Sequence, residues 1–172
     1  LGTAAKKSEE AGVDAVIVSG DRDLLQLATE KIMIRMPKTK RGVTEIENYH
    51  AQDVKDAYQV TPSQIIELKA LMGDASDNIP GVPGIGEKTA TNLIVAYGTI
   101  ENAYAHVEEI KPNRAKEALK NHYDMAKMSK ELATICLEAP LTLSFEDARL
   151  TNLYTPEAYE WCRKLNFKKL LG

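Results

Sequence analysis

The spacing of apolar and polar positions divides the chain into two stretches of different character. "VDAVIVSG" holds the apolar run Ala15 to Val18. A short β-branched run of this kind predicts a strand buried on both faces, as in a parallel sheet. "TAAKKSEEAG" before it predicts a helix stopped at Gly12, and "DRDLLQLA" after it predicts another. "KIMIRMP" and "GVTEI" predict two short strands joined by the basic turn "KTKRG". From Thr61 the pattern is helical almost throughout. Thr61 suits an N-cap, Pro62 the first helical position and Gln64 the capping-box partner, with the helix running to about Gly73. A glycine-rich loop follows. "EKTATNLIVAYG", "IENAYAHVEE", the long "NRAKEALKNHYDMAKMSKELATI" and "PEAYEWCRKL" then predict further helices. Met125, Met128 and Leu132, like Ala158, Trp161 and Leu165, recur at helical spacing and are the expected core faces of the last two.

Composition narrows the class. A chain of 172 residues, 44% hydrophobic and 27% charged, is long enough to bury a core and has an ordinary soluble make-up. No apolar run approaches the roughly 20 residues that cross a bilayer, and "LGTAAKKSEEAG" lacks a signal peptide's apolar core. A cytoplasmic monomer without a membrane partner is expected. Cys136 and Cys162 match no metal-ligand spacing and are expected to be reduced packing residues. His50, His106 and His122 have no partner pattern, and Tyr58, Tyr97 and Tyr123 are too scattered for a stacking platform. The net charge of −3 argues against a broadly basic, nucleic-acid-binding surface. It is a sum, however, and acids gathered at one place can hide a basic rim. The chain opens on Leu1 in what reads as mid-helix, and is expected to be a piece of a longer protein.

Two pairs of acids carry candidate chemistry. "SGDRDLLQL" places Asp21 and Asp23 just past the predicted strand, where ligands bind in open α/β sheets. Extended residues i and i+2 point the same way. Asp74 and Asp77 in "GDASDN" are spaced i, i+3, which a helical turn puts on one face. Four aspartates without His or Cys suit Mg²⁺ or Mn²⁺ and disfavour zinc. Taken alone, each pair fits a helix cap beside a solvated acid as well.

"IPGVPGIGEKTA" is more specific. Gly84, Ile85 and Gly86 make a tight turn into a helix starting near Glu87. Glycine there admits a ligand close to the backbone, and helix N-terminal amides attract phosphate, with Lys88 and Thr89 placed to reinforce the contact. The P-loop spacing is absent. The pattern resembles a helix-hairpin-helix, which touches the sugar-phosphate backbone and carries little sequence information. Lys40 and Arg41, with Lys38, form a basic turn that suits DNA phosphates or plain solvent; Arg114, Lys116 and Lys120 offer a similar choice. An anion holder beside a cation holder makes sense if the substrate is a phosphodiester.

Together, "SGDRDLLQL", "KRGVTEI" and "LKALMGDASDNIPGVPGIGEKTA" resemble the 5′-nuclease superfamily, in the form found as the 5′→3′ exonuclease domain at the N-terminus of bacterial DNA polymerase I; flap endonucleases are relatives. The resemblance runs through the closing "LNFKKLLG". It implies an α/β fold: a PIN-like, partly parallel sheet with helices, here incomplete at the N-terminus (residues 1–60), then a helical DNA-binding domain with the helix-hairpin-helix (residues 61–172). It implies a two-ion Mg²⁺ or Mn²⁺ centre hydrolysing DNA at 5′ ends or flaps in replication and repair. Asp21, Asp23, Asp74 and Asp77 fall on metal ligands. Gly84, Gly86 and Lys88 fall on the phosphate-binding hairpin, which in some relatives also holds K⁺. The implied partners are 5′-flap, nicked or gapped duplex DNA and a C-terminal polymerase domain. The family's first-strand Asp, its active-site Arg and Lys, its threading arch and its Glu/Asp cluster have no match here, so the chain alone is expected to bind DNA without cutting it. The alternatives are a non-catalytic helix-hairpin-helix module and a PIN-type ribonuclease, the latter disfavoured by the hairpin.

Overall fold

The computed structural model describes residues 1–40 and 42–171; Arg41, the side chain of Lys40 and Gly172 lie outside the described residues, and with them the expected phosphate contacts of Lys40 and Arg41. Leu1–Leu141 form one compact unit and Thr142–Gly172 a second.

In the first unit, α1 (Gly2–Glu10) ends where expected, with Gly12 at φ +76°. β1 (Ala15–Val18) then pairs in parallel with β2 (Ile32–Lys40), from Ala15 opposite Ile32 to Val18 opposite Arg35. β2 returns antiparallel into β3 (Val43–Tyr49), giving the partly parallel sheet order β1-β2-β3. The expectation of a strand buried on both faces is corrected. Ile17 joins Ala5, Leu24 and Leu25 in the core, but Val16 and Val18 are 52% and 65% exposed. β1 is an edge strand, and among the described residues no layer covers its second face. β2 and β3 run through most of the expected basic turn. Cross-strand pairs extend them: Thr39 and Thr44 share a hydroxyl bond of 3.1 Å, and Lys38 is paired with Glu47.

The segment after β1 is a 3-10 helix, Arg22–Leu27, rather than the expected α-helix. The Asp21 carboxylate accepts the Asp23 N–H at 2.9 Å, a short-range side-chain bond that holds the start of the segment in a tight turn. The segment nevertheless buries Leu24, Leu25 and Leu27. α2 (Ala51–Tyr58) leads to α3 (Gln64–Met72), which starts two residues past the expected point; the Gln64 amide oxygen still accepts from the Thr61 N–H at 2.9 Å. α4 (Glu87–Tyr97), α5 (Ile100–Ala105) and α7 (Tyr123–Ala133) pack on α3, and α6 (Asn113–Asn121) packs on α7. The long helix expected over 113–135 breaks at His122, φ −128° and ψ 27°. The break lets Tyr123 stack flat on Tyr104 at 3.9 Å. The buried face of α7 is Ala126, Ser129 and Ala133, not Met125, Met128 and Leu132. Small side chains allow α7 to close on α3, and longer ones are turned outward.

α3 carries two buried charges in an apolar helix, Glu67 and Lys69. Glu67 accepts the Ile100 N–H at 3.0 Å, capping α5, and pairs with Lys130 at 2.6 Å; Lys130 also holds Glu101 at 2.8 Å. A buried carboxylate costs little only when its oxygens are used in this way.

The second unit contains α8 (Pro156–Lys164), capped by Thr155, whose hydroxyl accepts the Ala158 N–H at 3.1 Å. Trp161 and Leu165, expected in a core, are 61% and 55% exposed. Among the described residues of this unit α8 is the one α-helix, with no second layer beside it to cover them.

Gly73 and Gly81 press backbone against backbone. A Cβ on Gly81 would lie 2.2 Å from the Gly73 nitrogen and 2.6 Å from the Met72 carbonyl carbon, at φ +63°. Gly81→Ala is therefore expected to destabilise the chain by about 3 kcal/mol or more, since strain and overpacking act together. Ser129→Ala, which strands the buried Gly81 N–H bonded to the Ser129 hydroxyl at 3.0 Å, is expected to cost about 1–3 kcal/mol. Denaturant unfolding of both variants checks the order.

Candidate metal centre and anion-binding hairpin

Asp23 stands in the first turn of the 3-10 segment, and Asp74 and Asp77 follow Gly73 in a loop closed by paired bonds: Asp74 N–H to Ile79 O at 2.9 Å and Ile79 N–H to Asp74 O at 2.8 Å. That closure turns the acids back over α3. One carboxylate oxygen from each of Asp23, Asp74 and Asp77 lies within 4.8 Å of the others. Like charges at about 4 Å repel by about 4 kcal/mol at an effective dielectric of 20, so a cation is needed at their focus. Lys69 supplies one: its Nζ bonds Asp23, lies 2.7 Å from Asp74 Oδ2 and 4.0 Å from Asp77. The other Asp74 oxygen, Oδ1, accepts the Ser76 N–H at 2.9 Å and the Ser76 hydroxyl at 2.5 Å. Lys69 first, and Ser76 next, hold the Asp74 carboxyl down to about 2.

Asp21 is placed differently. Its carboxylate caps the 3-10 segment and stays outside the close group, although it lines the same hollow of about 420 Å³ as Asp23, Asp74 and Asp77. The donor set suits the group it was expected to hold: three hard oxygen ligands meeting at a point where a cationic head already sits, with neither His nor Cys among them.

The hairpin lies next door; Asp74 and Glu87, the first residue of α4, line one cavity of about 140 Å³ with Lys69 and Arg22. Val82 and Ile85 are buried anchors, joined by the Ile85 N–H to Val82 O at 3.0 Å, while Pro83, Gly84 and Gly86 face solvent. Gly84 takes φ +89°, which favours glycine. Gly86 precedes α4 with no side-chain cap, so the first-turn amides of the helix are open to an anion. Lys88 is exposed and Thr89 partly buried beside them. The Arg114 guanidinium reaches within 3.6 Å of the point a Gly84 Cβ would take. Lys116 and Lys120, by contrast, are spent on Glu108, at 2.5 and 2.7 Å.

A family model described as 5′-3′ exonuclease, C-terminal SAM fold, matches residues 60–155, more than half of the 172-residue chain. The chain belongs to the 5′–3′ exonuclease family. Its relatives include DNA polymerase I of Bacillus caldotenax, 44% identical over 171 residues, and of Bacillus subtilis (strain 168), 42% identical; each match covers 99% of this chain and 19% of the relative. The chain thus spans about a fifth of the length of those relatives. Among solved structures it is similar to a T5 5′-exonuclease with divalent metal ions (zinc) bound, 27% identical, TM-score 0.64, over 77% of this chain and 48% of that one. It is also similar to a bacteriophage T5 flap endonuclease in a pseudo-enzyme-product complex with DNA and metal ions, 26% identical, TM-score 0.65, over 77% of this chain and 47% of that one.

Within the family frame, sequence reasoning brought forward the three acids that meet and missed Lys69 and Ser76. A signal for Lys69 was present: a lysine in the apolar run "IIELKALM", five residues before Asp74. Ser76 carried only the short-range turn chemistry of "DAS".

The lowered Asp74 pKa sets a pH dependence. The unfolded carboxyl titrates near 3.8 and the folded one at about 2. Its stabilisation is complete above 3.8 and is lost as pH falls toward 2. That loss amounts to roughly 2 kcal/mol, at 1.36 kcal/mol per unit. In EDTA, the stability difference between wild type and Asp74→Asn should shrink by that order between pH 5 and 2; a constant difference would refute the linkage.

Proposed function

We propose that this chain is the metal-holding and duplex-gripping region of a structure-specific 5′ nuclease acting on DNA phosphodiesters at 5′ ends or flaps, in replication and repair. One observation carries the reading: Asp74, which converges with Asp23 and Asp77, shares a cavity wall with Glu87, the first residue of the uncapped helix that Gly86 precedes. A centre for cations beside a seat for anions is what a phosphodiester substrate requires. Residues 1–60 then belong to the nuclease half and 61–172 to the helical DNA-binding half. The relatives named DNA polymerase I support a polymerase domain in the same parent; a cytoplasmic, monomeric protein belongs to the same reading.

Asp23, Asp74 and Asp77 would hold Mg²⁺ or Mn²⁺, with Asp21 at the edge of the same hollow. Bound there, such an ion neutralises phosphate charge and activates water. Ser76 holds the Asp74 carboxylate in one orientation, leaving Oδ2 for the ion. Gly84, Ile85, Gly86, Lys88 and Thr89 grip one backbone phosphate, and Arg114 adds a cation from α6. K⁺ at the hairpin belongs to this reading and is tested by exchanging K⁺ for Na⁺ in the binding assay. Among the described residues no second group of three candidate ligands accompanies the first. Since two-ion hydrolysis needs ligands for both ions, the chain alone should grip flap DNA without cutting it at an appreciable rate.

The test is binding of a 5′-flap duplex in Ca²⁺ and cleavage in Mg²⁺, with single-stranded RNA as the competing substrate. Gly86→Val is the decisive variant. Nothing lies within 4 Å of the added Cβ and the backbone is extended there, so the fold should lose only about 1 kcal/mol or less. Flap affinity should fall about tenfold, worth 1.4 kcal/mol, as phosphate is kept from the amides. Lys88→Ala should lower the salt slope by about one. Unchanged flap affinity in Gly86→Val, or preference for RNA, would overturn the reading.

A further inference from the structure

Lysine is among the side chains least often fully buried, yet Lys69 is 5% exposed, flanked on α3 by the buried Leu68 and Ala70. Its ammonium has three N–H donors and no acceptor. It faces three carboxylates: Asp23, in direct contact, Asp74 Oδ2 at 2.7 Å and Asp77 at 4.0 Å. These are the same acids whose oxygens converge within 4.8 Å. Asp74 settles how ammonium and metal relate. Its Oδ1 is taken by the Ser76 N–H and hydroxyl, so the oxygen left for an ion is Oδ2, and Oδ2 is the atom that Lys69 holds. An ion ligated by Asp74 and the ammonium of Lys69 therefore compete for the same oxygen, two cations on one atom.

We propose that Lys69 is the resident counter-ion of the carboxylate centre: it holds Asp23, Asp74 and Asp77 together in the metal-free protein, and a divalent ion binds by displacing it. The proposal rests on the reading of these acids as a metal centre. Lys69 is a positioning residue here. Without it the metal-free acids would repel one another and splay; with it they stay gathered, and the ion must displace a cation to enter. Metal affinity is thereby set below what three bare carboxylates would give. The four-carbon stem is flexible and the ammonium strongly hydrated, so the released head swings into the open hollow that Asp21 and Asp77 line.

The experiment uses the full 172-residue chain, stripped with EDTA and titrated with Mn²⁺, free ion being read by electron paramagnetic resonance. Lys69→Met keeps the stem's length and removes the charge. It is expected to bind Mn²⁺ about tenfold tighter than wild type, and to melt at a lower temperature without metal but gain more on adding it. A second measurement needs no variant. In wild type, acylation of the Lys69 amine, read by peptide mass spectrometry against exposed Lys88, should rise several-fold when Mn²⁺ saturates the site. Equal Mn²⁺ affinity in the two proteins, or Lys69 labelling unchanged by Mn²⁺, would overturn the proposal and leave the metal centre standing. Absence of Mn²⁺ binding by either protein would overturn the metal centre and this inference with it.

Discussion

Gly73 and Gly81 meet with no room for a side chain between them, both at positive φ. Everything that matters for the site depends on this closure. The residues between the glycines are forced into a loop whose mouth is zipped by the two Asp74–Ile79 bonds. The loop's near end delivers Asp74 and Asp77 toward the 3-10 segment after β1. Its far end delivers Val82 to the Leu71 carbonyl, at 2.7 Å, and so sets the start of the hairpin. One backbone contact therefore fixes the separation between a cluster of anionic side chains and a cluster of open amides. Ser129 secures it from behind, which is why a hydroxyl sits at a fully buried position on α7.

Two charges inside α3 show how the fold tolerates what the loop creates. Glu67 and Lys69 are two residues apart, so they leave the helix in different directions. Glu67 turns to the start of α5 and to Lys130, where it stabilises a helix junction. Lys69 turns to the acids. Removing one partner from such a buried arrangement is far costlier than never having built it, so α3 is committed to both neighbours at once. The helix that forms the centre of the core is also the element that reports on the state of the site.

How much of this was legible in the sequence differed by level. The strand-helix-hairpin order was readable because β-branched runs, Gly12 and the Pro-Gly pairs are local signals. The spacing marked two pairs of acids but not that the pairs meet; the meeting of Asp23 with Asp74 and Asp77 was implied by the family resemblance, and the structure makes it through a loop rather than the expected helical turn. Asp21 shows where that reasoning stops: i and i+2 point one way only in extended chain, and Asp21 spends its carboxylate on the Asp23 amide of a 3-10 turn. Helical periodicity found helix over 113–135 but neither its break at His122 nor the buried face of α7, which it missed by one residue. Apolarity alone points to methionine and leucine as core, whereas α3 demands small partners, Ala126, Ser129 and Ala133. Lys69 was hidden for a different reason: Asp74 is only five residues on, but Asp23 is 46 residues away, and nothing local shows that the lysine joins the two.

Under the proposed function, the hairpin is what lets a chain of net charge −3 face DNA. Electrostatic binding usually depends on summed side-chain charge, but amides at a helix start offer partial charge without any side chain. Val82 and Ile85 point inward and hold the turn rigid, so the amides need no ordering when a phosphate arrives. The nearby acids work against that contact unless their charge is neutralised. A cation at Asp23, Asp74 and Asp77, whether the ammonium of Lys69 or a metal ion, is therefore a condition for the hairpin's attraction as well as for chemistry at the acids. Under that reading grip and centre are coupled through charge, since Asp74 and Glu87 at the start of α4 line one cavity, and a change at either should be felt by the other without any movement of the backbone between them.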